Sequence, residues 1–244
     1  MTENRPGFAG SRFAWVAAVL LGVAGSWGGL ALGNLALLPA LQLALAYPLF
    51  LVGIRAGRLG RTVGLFLLWA VAASVPVVLS ARADPAGVEP LVLNGAEYRD
   101  EMFRWIRTGV GAESDPARFL PQHALHFVLF AALSFLTFGA AGLAMGCVLL
   151  NYMNFYVGAL LAEAAHPAAI APFAWPVYAA IRVAGYVTCA AALSRLSFPS
   201  VRKDPSERRR ALRALAIGVG LVLLDALLKA AVAPWYGERL RVGM

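Results

Sequence analysis

The sequence predicts an all-α protein, a polytopic membrane bundle of about seven transmembrane helices, and three observations carry that prediction. Of the 244 residues, 60% are hydrophobic and 14% charged, with a mean hydropathy of +0.70. A soluble domain of this size could not cover so apolar a chain with polar surface. The charges are also gathered in a few places, leaving stretches of about 20 apolar residues, the length that crosses the ~30 Å hydrocarbon core of a bilayer. Finally, charge sorts by sign: Arg55, Arg58 and Arg61 and the segment 195–213 are basic, whereas 82–118 is slightly acidic. The excess of Lys and Arg in cytoplasmic loops turns that asymmetry into sidedness.

The elements follow in order. Arg5 and Arg12 precede an apolar run over 13–30 that passes Trp27 and Gly29 without a clear cleavage site, so it reads as a retained first helix rather than a signal peptide. Asn34 and Pro39 mark a tight uncharged turn before a second span over 35–54. The Arg55, Arg58, Arg61 loop leads to a third span over 62–80, with Pro76 expected to kink it near its end. Residues 81–121 form the one sizeable external loop. Within it Tyr98, Met102, Phe103, Trp105 and Ile106 alternate with charges, the pattern of an amphipathic helix lying on the membrane surface. The stretch 122–166 has no Asp, Glu, Lys or Arg before Glu163 and is too long for one span. It divides near 139–145, where Gly139, Gly142 and Gly146 provide small-residue spacing for close helix contact. Spans over 173–193 and 214–233 complete the count.

The chain therefore reads as a single integral membrane domain over 1–244, in the bacterial cytoplasmic (inner) membrane, with the lipid bilayer as its first partner. Seven spans with a cytoplasmic N-terminus put both basic clusters inside and 81–121 outside; six would put the second cluster outside. The C-terminus, with Glu238, Arg239 and Arg241, is then external.

Composition excludes several classes. The net charge of +8 comes from Lys and Arg flanking apolar segments, which points to lipid headgroups rather than nucleic acid. Cys147 and Cys189 lie inside apolar segments without CxxC spacing and read as packing residues. Trp15, Trp27, Trp69, Trp105, Trp175 and Trp235 fall mostly near predicted helix ends, as interfacial aromatic belts do. No P-loop, GxGxxG or GxSxG element supports nucleotide chemistry or a standard serine hydrolase.

With sidedness set, all three histidines share the outer face. His123 and His126 open the fourth span, and Glu163 and His166 close the fifth, giving two i, i+3 pairs. Nitrogen and oxygen donors of this kind suit a divalent transition metal such as zinc, and Glu97 and Glu101 offer a base or a further ligand. The plainer reading is that polar residues gather at helix ends because water reaches them there.

Asp100, Glu101 and Arg104 form a DExxR pattern, Phe119 and His123 an FxxxH pattern, and His166 follows some forty residues later. In these features the stretch 97–166 resembles the CAAX protease and bacteriocin-processing family of membrane proteases. The resemblance implies a peptide substrate, Glu101 as the base that activates water, and His123 and His166 as residues that position it or stabilise an oxyanion. The first motif is one residue shorter than the family's EExxxR, its helix is less apolar, and Ile170 stands where an Asn would follow His166 by four.

A deeper set comprises Arg182, Asp225 and Lys229. Arg182 and Asp225 each lie near the predicted midplane, and Lys229 is one turn beyond Asp225 on the same face, so the three are expected to form a charge cluster. It would either lock the last two helices together or line a proton or ion path. Asp225 and Lys229 also make a D-x-x-x-K pattern similar to the retinal lysine helix of microbial rhodopsins, but the third span has no carboxylate counter-ion. Asn151 and Asn154, with Tyr152 and Tyr156, read as hydrogen-bonding glue between helices.

Two function classes emerge. One is a membrane-embedded, protease-like hydrolase with Glu101, Glu97, His123 and His166 at the outer face, joined by His126. The alternative is a non-catalytic subunit of a membrane transport or envelope-assembly system, in which Arg182, Asp225 and Lys229 hold the bundle and the external loop meets a membrane-protein partner.

Overall fold

The computed structural model describes residues 11–244, which leaves Arg5 outside the described residues. Seven helical segments among them are long and apolar enough to cross a membrane. They are α1 (Phe13–Ala31), α2 (Leu37–Arg55), α3 (Leu59–Ala83), α6 (Pro116–Leu136), α7 (Ala140–Glu163), the pair α8 (Pro167–Ala174) and α9 (Val177–Ser197), and α11 (Pro205–Gly243). The short α4 (Pro85–Val88), α5 (Gly95–Thr108) and α10 (Pro199–Lys203) complete the helices.

Proline and aspartate set many of the starts. Asp84-Pro85, Asp115-Pro116 and Asp204-Pro205 each place a side-chain acceptor at the N-cap and a proline at the first helical position. There the missing N–H costs nothing and the preset φ helps. The division of the long apolar stretch falls at residues 137–139. Phe138 (φ 53°) and Gly139 (φ 93°) adopt left-handed backbone, and a Cβ at Gly139 would come within 2.5 Å of the Phe50 ring.

Small residues and polar contacts join α1 to its neighbours, while aromatic and aliphatic side chains such as Phe50, Phe66 and Phe130 fill the core between α2, α3 and α6. The buried stripe of α1 is Ala14, Ala18, Gly22, Gly25, Ser26 and Gly29. A polar knot ties four helices at its level. The Gln42 amide donates to Asn151 Oδ1 (2.9 Å) and Ser26 Oγ (2.8 Å), Asn151 donates back to Gln42 Oε1 (2.8 Å), and Ser26 donates to the Ala73 carbonyl (2.7 Å). Large apolar side chains such as Leu20, Val128, Ile217 and Leu227 point outward, toward what would be acyl chains.

The two basic clusters meet at one end of the bundle. Arg195 donates to the carbonyls of Ile54 (3.0 Å) and Arg55 (3.1 Å) and pairs with Glu207 (2.9 Å). At the other end lies the segment between α3 and α6, where Arg241 near the end of α11 donates to the Ile106 carbonyl (2.8 Å).

Three expectations change. The amphipathic helix forms as α5, but Met102, Phe103, Trp105 and Ile106 are buried against α7 and α11 instead of lying on lipid. Protein offers this face a closer-packed partner than the interface does. The last helix is 39 residues long, about 58 Å by helical rise, and includes the tail residues Glu238, Arg239 and Arg241. Its Arg-rich start consists of good helix formers behind the Asp204 cap, and Tyr236, Gly237 and Leu240 are buried near its end. Trp69 and Trp105 sit in the protein core rather than in an interfacial belt.

The α9–α11 seam is the tightest test of this packing. A Cβ at Gly218 would lie 2.6 Å from Cys189 Sγ and 2.9 Å from the Cys189 backbone nitrogen, whereas Gly220 has open space around it. Gly218→Val is expected to lower stability by about 1–3 kcal/mol through overpacking. Gly220→Ala is expected to be neutral or stabilising. Thermal unfolding of the detergent-solubilised protein distinguishes them.

Candidate functional site

Five helices and one turn converge on a single cavity at the α5 end of the bundle. From α5, Glu97, Tyr98 and Glu101 project at i, i+1 and i+4; from α6, Phe119, Gln122, His123 and His126 at i, i+3, i+4 and i+7. Each set follows one helical stripe, so each helix turns a single face inward. Tyr152 of α7, Arg182 of α9 and Lys229 of α11 close the sides, and Glu113 enters from the turn Ala112–Ser114. Together they line a polar cavity of about 320 Å³.

Two ion pairs form its wall. Arg182 grips Asp225 with two bonds, Nε to Oδ2 (2.8 Å) and a terminal nitrogen to Oδ1 (3.2 Å), the fork geometry that suits a carboxylate. Lys229 does not join them. Its Nζ donates to Glu113 Oε1 (2.6 Å), lies 4.6 Å from the centre of the Phe119 ring, and is 1% exposed. The Tyr178 hydroxyl donates to the other Glu113 oxygen (3.1 Å). The four charges therefore cancel in two pairs.

Glu113 is the residue that sequence reasoning passed over. Its partner lies 116 positions away, and a lone Glu in an irregular segment carries no periodic signal. The short segment leading to the Asp115-Pro116 helix start was the available clue, because such a turn must pack at the mouth of α6.

The carboxylates of Glu97 and Glu101 have no ion-pair partner among the described residues. Glu101 is half-buried and Glu97 exposed. Opposite them His123 stacks near Phe119, ring centres 5.4 Å apart, and its buried Nδ1 has no hydrogen-bond partner. Tyr98 stacks on Tyr152 at 4.6 Å; burial, and then the nearby Glu113 carboxylate, push its phenol well above the usual value, so it stays protonated as a donor.

The four residues expected to hold a metal are divided. His123 and His126 line the cavity, while Glu163 pairs with Arg107 (2.8 Å) at an exposed helix end and His166, also exposed, caps α8. Among the described residues no group of three or more His, Cys, Asp or Glu side chains is placed to hold a metal ion. The Arg107 guanidinium competes for Glu163, and Pro167 starts α8 where α7 would have carried His166 onward. The residues present do not fit a zinc centre built from that set. Nor does His166 join Glu97, Glu101 and His123 in the cavity lining.

Asn151 acts as expected, in the amide pair with Gln42, while Asn154 is fully buried with neither side-chain atom partnered. Cys147 and Cys189 are free and buried. Comparison with family models, curated proteins and solved structures found no match.

The Arg182–Asp225 pair yields a direct prediction. Asp225→Asn leaves a buried guanidinium uncompensated and is expected to cost about 3–5 kcal/mol. The double variant Arg182→Met/Asp225→Leu, which removes both charges, is expected to lose less than Asp225→Asn alone. Thermal melting of the three proteins in one detergent checks the order.

Proposed function

We propose that this protein is a membrane-embedded, protease-like hydrolase whose site is the Glu97, Glu101, His123, His126 cavity at the outer face of a bacterial cytoplasmic membrane. The observation that carries the reading is the convergence of two unpaired carboxylates and two imidazoles in one partly enclosed cavity, beside ion pairs that are already neutralised. Those pairs leave Glu97 and Glu101 as the carboxylates of the cavity without a cationic partner among the described residues.

Glu101, less exposed than Glu97, serves as the base in this reading. It accepts a proton from water as the water oxygen attacks a carbonyl carbon, and the proton passes to the leaving amine as the C–N bond breaks. His123 or His126 donates a hydrogen bond to the oxyanion formed on the way. The roles of Glu101 and His123 are those implied by the resemblance to the CAAX protease and bacteriocin-processing family; His166, outside the cavity lining, has none. The orientation, with N-terminus in the cytoplasm and C-terminus outside, rests on the basic residues gathered at the opposite end from the cavity.

A second reading, a non-catalytic subunit of a transport or envelope-assembly system, draws on the closed charge pairs. Arg182–Asp225 and Lys229–Glu113 tie α9, α11 and the turn before α6 into one unit, as a structural role requires.

A panel of internally quenched peptides, incubated with the protein in nanodiscs, separates the two. The hydrolase reading expects cleavage, a fall in kcat/KM of about 10²- to 10⁴-fold in Glu101→Gln, a comparable loss in His123→Ala, and no loss in Glu163→Gln or His166→Ala. Cleavage that survives in Glu97→Gln/Glu101→Gln, or no cleavage of any peptide by the folded wild type, would contradict it.

A further inference from the structure

The polar cavity is one of three adjoining spaces. His123, His126, Tyr152 and Arg182 line it and also line a narrow apolar chamber of about 70 Å³. Ala70, Leu150 and Val183 of that chamber also line a third space, an apolar groove of about 620 Å³. The groove runs along α3 from Leu67 to Leu79, which is about 18 Å of helix, more than one leaflet's share of a ~30 Å hydrocarbon core. Its far wall is α9, its upper end is Trp175, and Val71, Val75 and Leu79 along its rim are exposed.

We propose that this groove holds one acyl chain of a membrane lipid or related amphiphile, reaching the chamber sideways from the bilayer, so that the amphiphile's polar end lies in the carboxylate and imidazole cavity. Three features set this occupant apart. The groove opens on membrane-spanning helices, so the surrounding medium is acyl chain. It shares Ala70, Leu150 and Val183 with a chamber too narrow for a helix about 10–12 Å across but suited to a single hydrocarbon chain. The lining changes from apolar to polar along one path, as the molecule does from tail to head. Ala70, Ala180 and Ala184 keep the channel open between α3 and α9, where larger side chains would close it. The inference rests on the hydrolase reading only for what happens to the head group: the bond cut would be one borne by an acyl-chain amphiphile. Occupancy of the groove stands apart from it.

The test places the full-length protein in phosphatidylcholine nanodiscs doped with a phosphatidylcholine bearing a mid-chain diazirine. After irradiation, adducts are mapped by tandem mass spectrometry. Adducts at Leu150 and Val183 are expected about tenfold above those at Leu49 and Leu65, apolar residues that are buried away from the groove and the chamber. Val183→Phe, filling the junction of groove and chamber, is expected to abolish the excess at Leu150. Ala184→Val, a smaller change on the groove wall, is expected to reduce it with the protein still monodisperse on gel filtration.

Equal labelling of Leu150 and Leu49, or an excess unaffected by both variants, would overturn the proposal. So would a self-associated or partner-bound protein whose groove peptides take no lipid label. Adducts lost while peptide cleavage persists remove the lipid route and spare the hydrolase; adducts retained without any cleavage uphold the lipid route and remove the hydrolase.

Discussion

A charge buried in a bundle that lipid surrounds has to meet its opposite, and the Lys229–Glu113 pair is where that requirement shapes the rest of this structure. Lys229 is 1% exposed, a burial that calls for a counter-charge, and the nearby Asp225 is already held by Arg182. Its partner comes from outside the spans. Drawing Glu113 inward pulls the turn Ala112–Ser114 onto α11, which fixes the cap at Asp115 and hence the angle at which α6 begins. On the other side of that turn α5 is laid over the bundle by its buried Trp105 and Ile106. One ion pair thus brings the stripe of α5 that carries Glu97 and Glu101 opposite the stripe of α6 that carries His123 and His126.

The chemistry of the cavity follows from which charges are cancelled. Arg182 and Lys229 are held by Asp225 and Glu113, so they contribute shape and field rather than proton transfer. Glu97 and Glu101 remain without cationic partners, and the imidazole of His123 has a buried nitrogen with nothing to bond. Two carboxylates without a cationic partner, facing a buried imidazole nitrogen without a hydrogen-bond partner across one cavity, are the kind of arrangement a binding or reacting site uses. The chamber beside them is lined mostly by apolar side chains, so the cavity borders polar surroundings on one side and apolar ones on the other.

Much of this was readable in the residues. Seven spans follow from hydropathy and charge, and the break at 137–139 follows because 122–166 is too long for one span. Counting depth along two helices was enough to set Arg182 opposite Asp225. The i, i+4 spacing of Glu97 and Glu101 and the i, i+3 spacing of His123 and His126 put each pair on one helix face, and all four line one cavity. What escaped depended on backbone paths without a period. Glu113 sits in an irregular turn, so nothing in its neighbours reveals that it points at Lys229. His166 and Glu163 share a helix end by spacing, yet a proline start and an arginine from α5 take them elsewhere. The apolar face of α5 fits a lipid surface and a protein surface equally well by composition, and only the positions of α7 and α11 decide between them.

The most direct measurement is the separation of α5 from α6 with the Lys229–Glu113 pair intact and broken. Spin labels at two exposed positions, Arg104→Cys on α5 and Leu125→Cys on α6, in a background lacking Cys147 and Cys189, report it by pulsed electron–electron resonance in nanodiscs. A single narrow distance that broadens or lengthens in Lys229→Met is the expected result. A distribution that is unchanged by Lys229→Met would contradict the central role given to this pair.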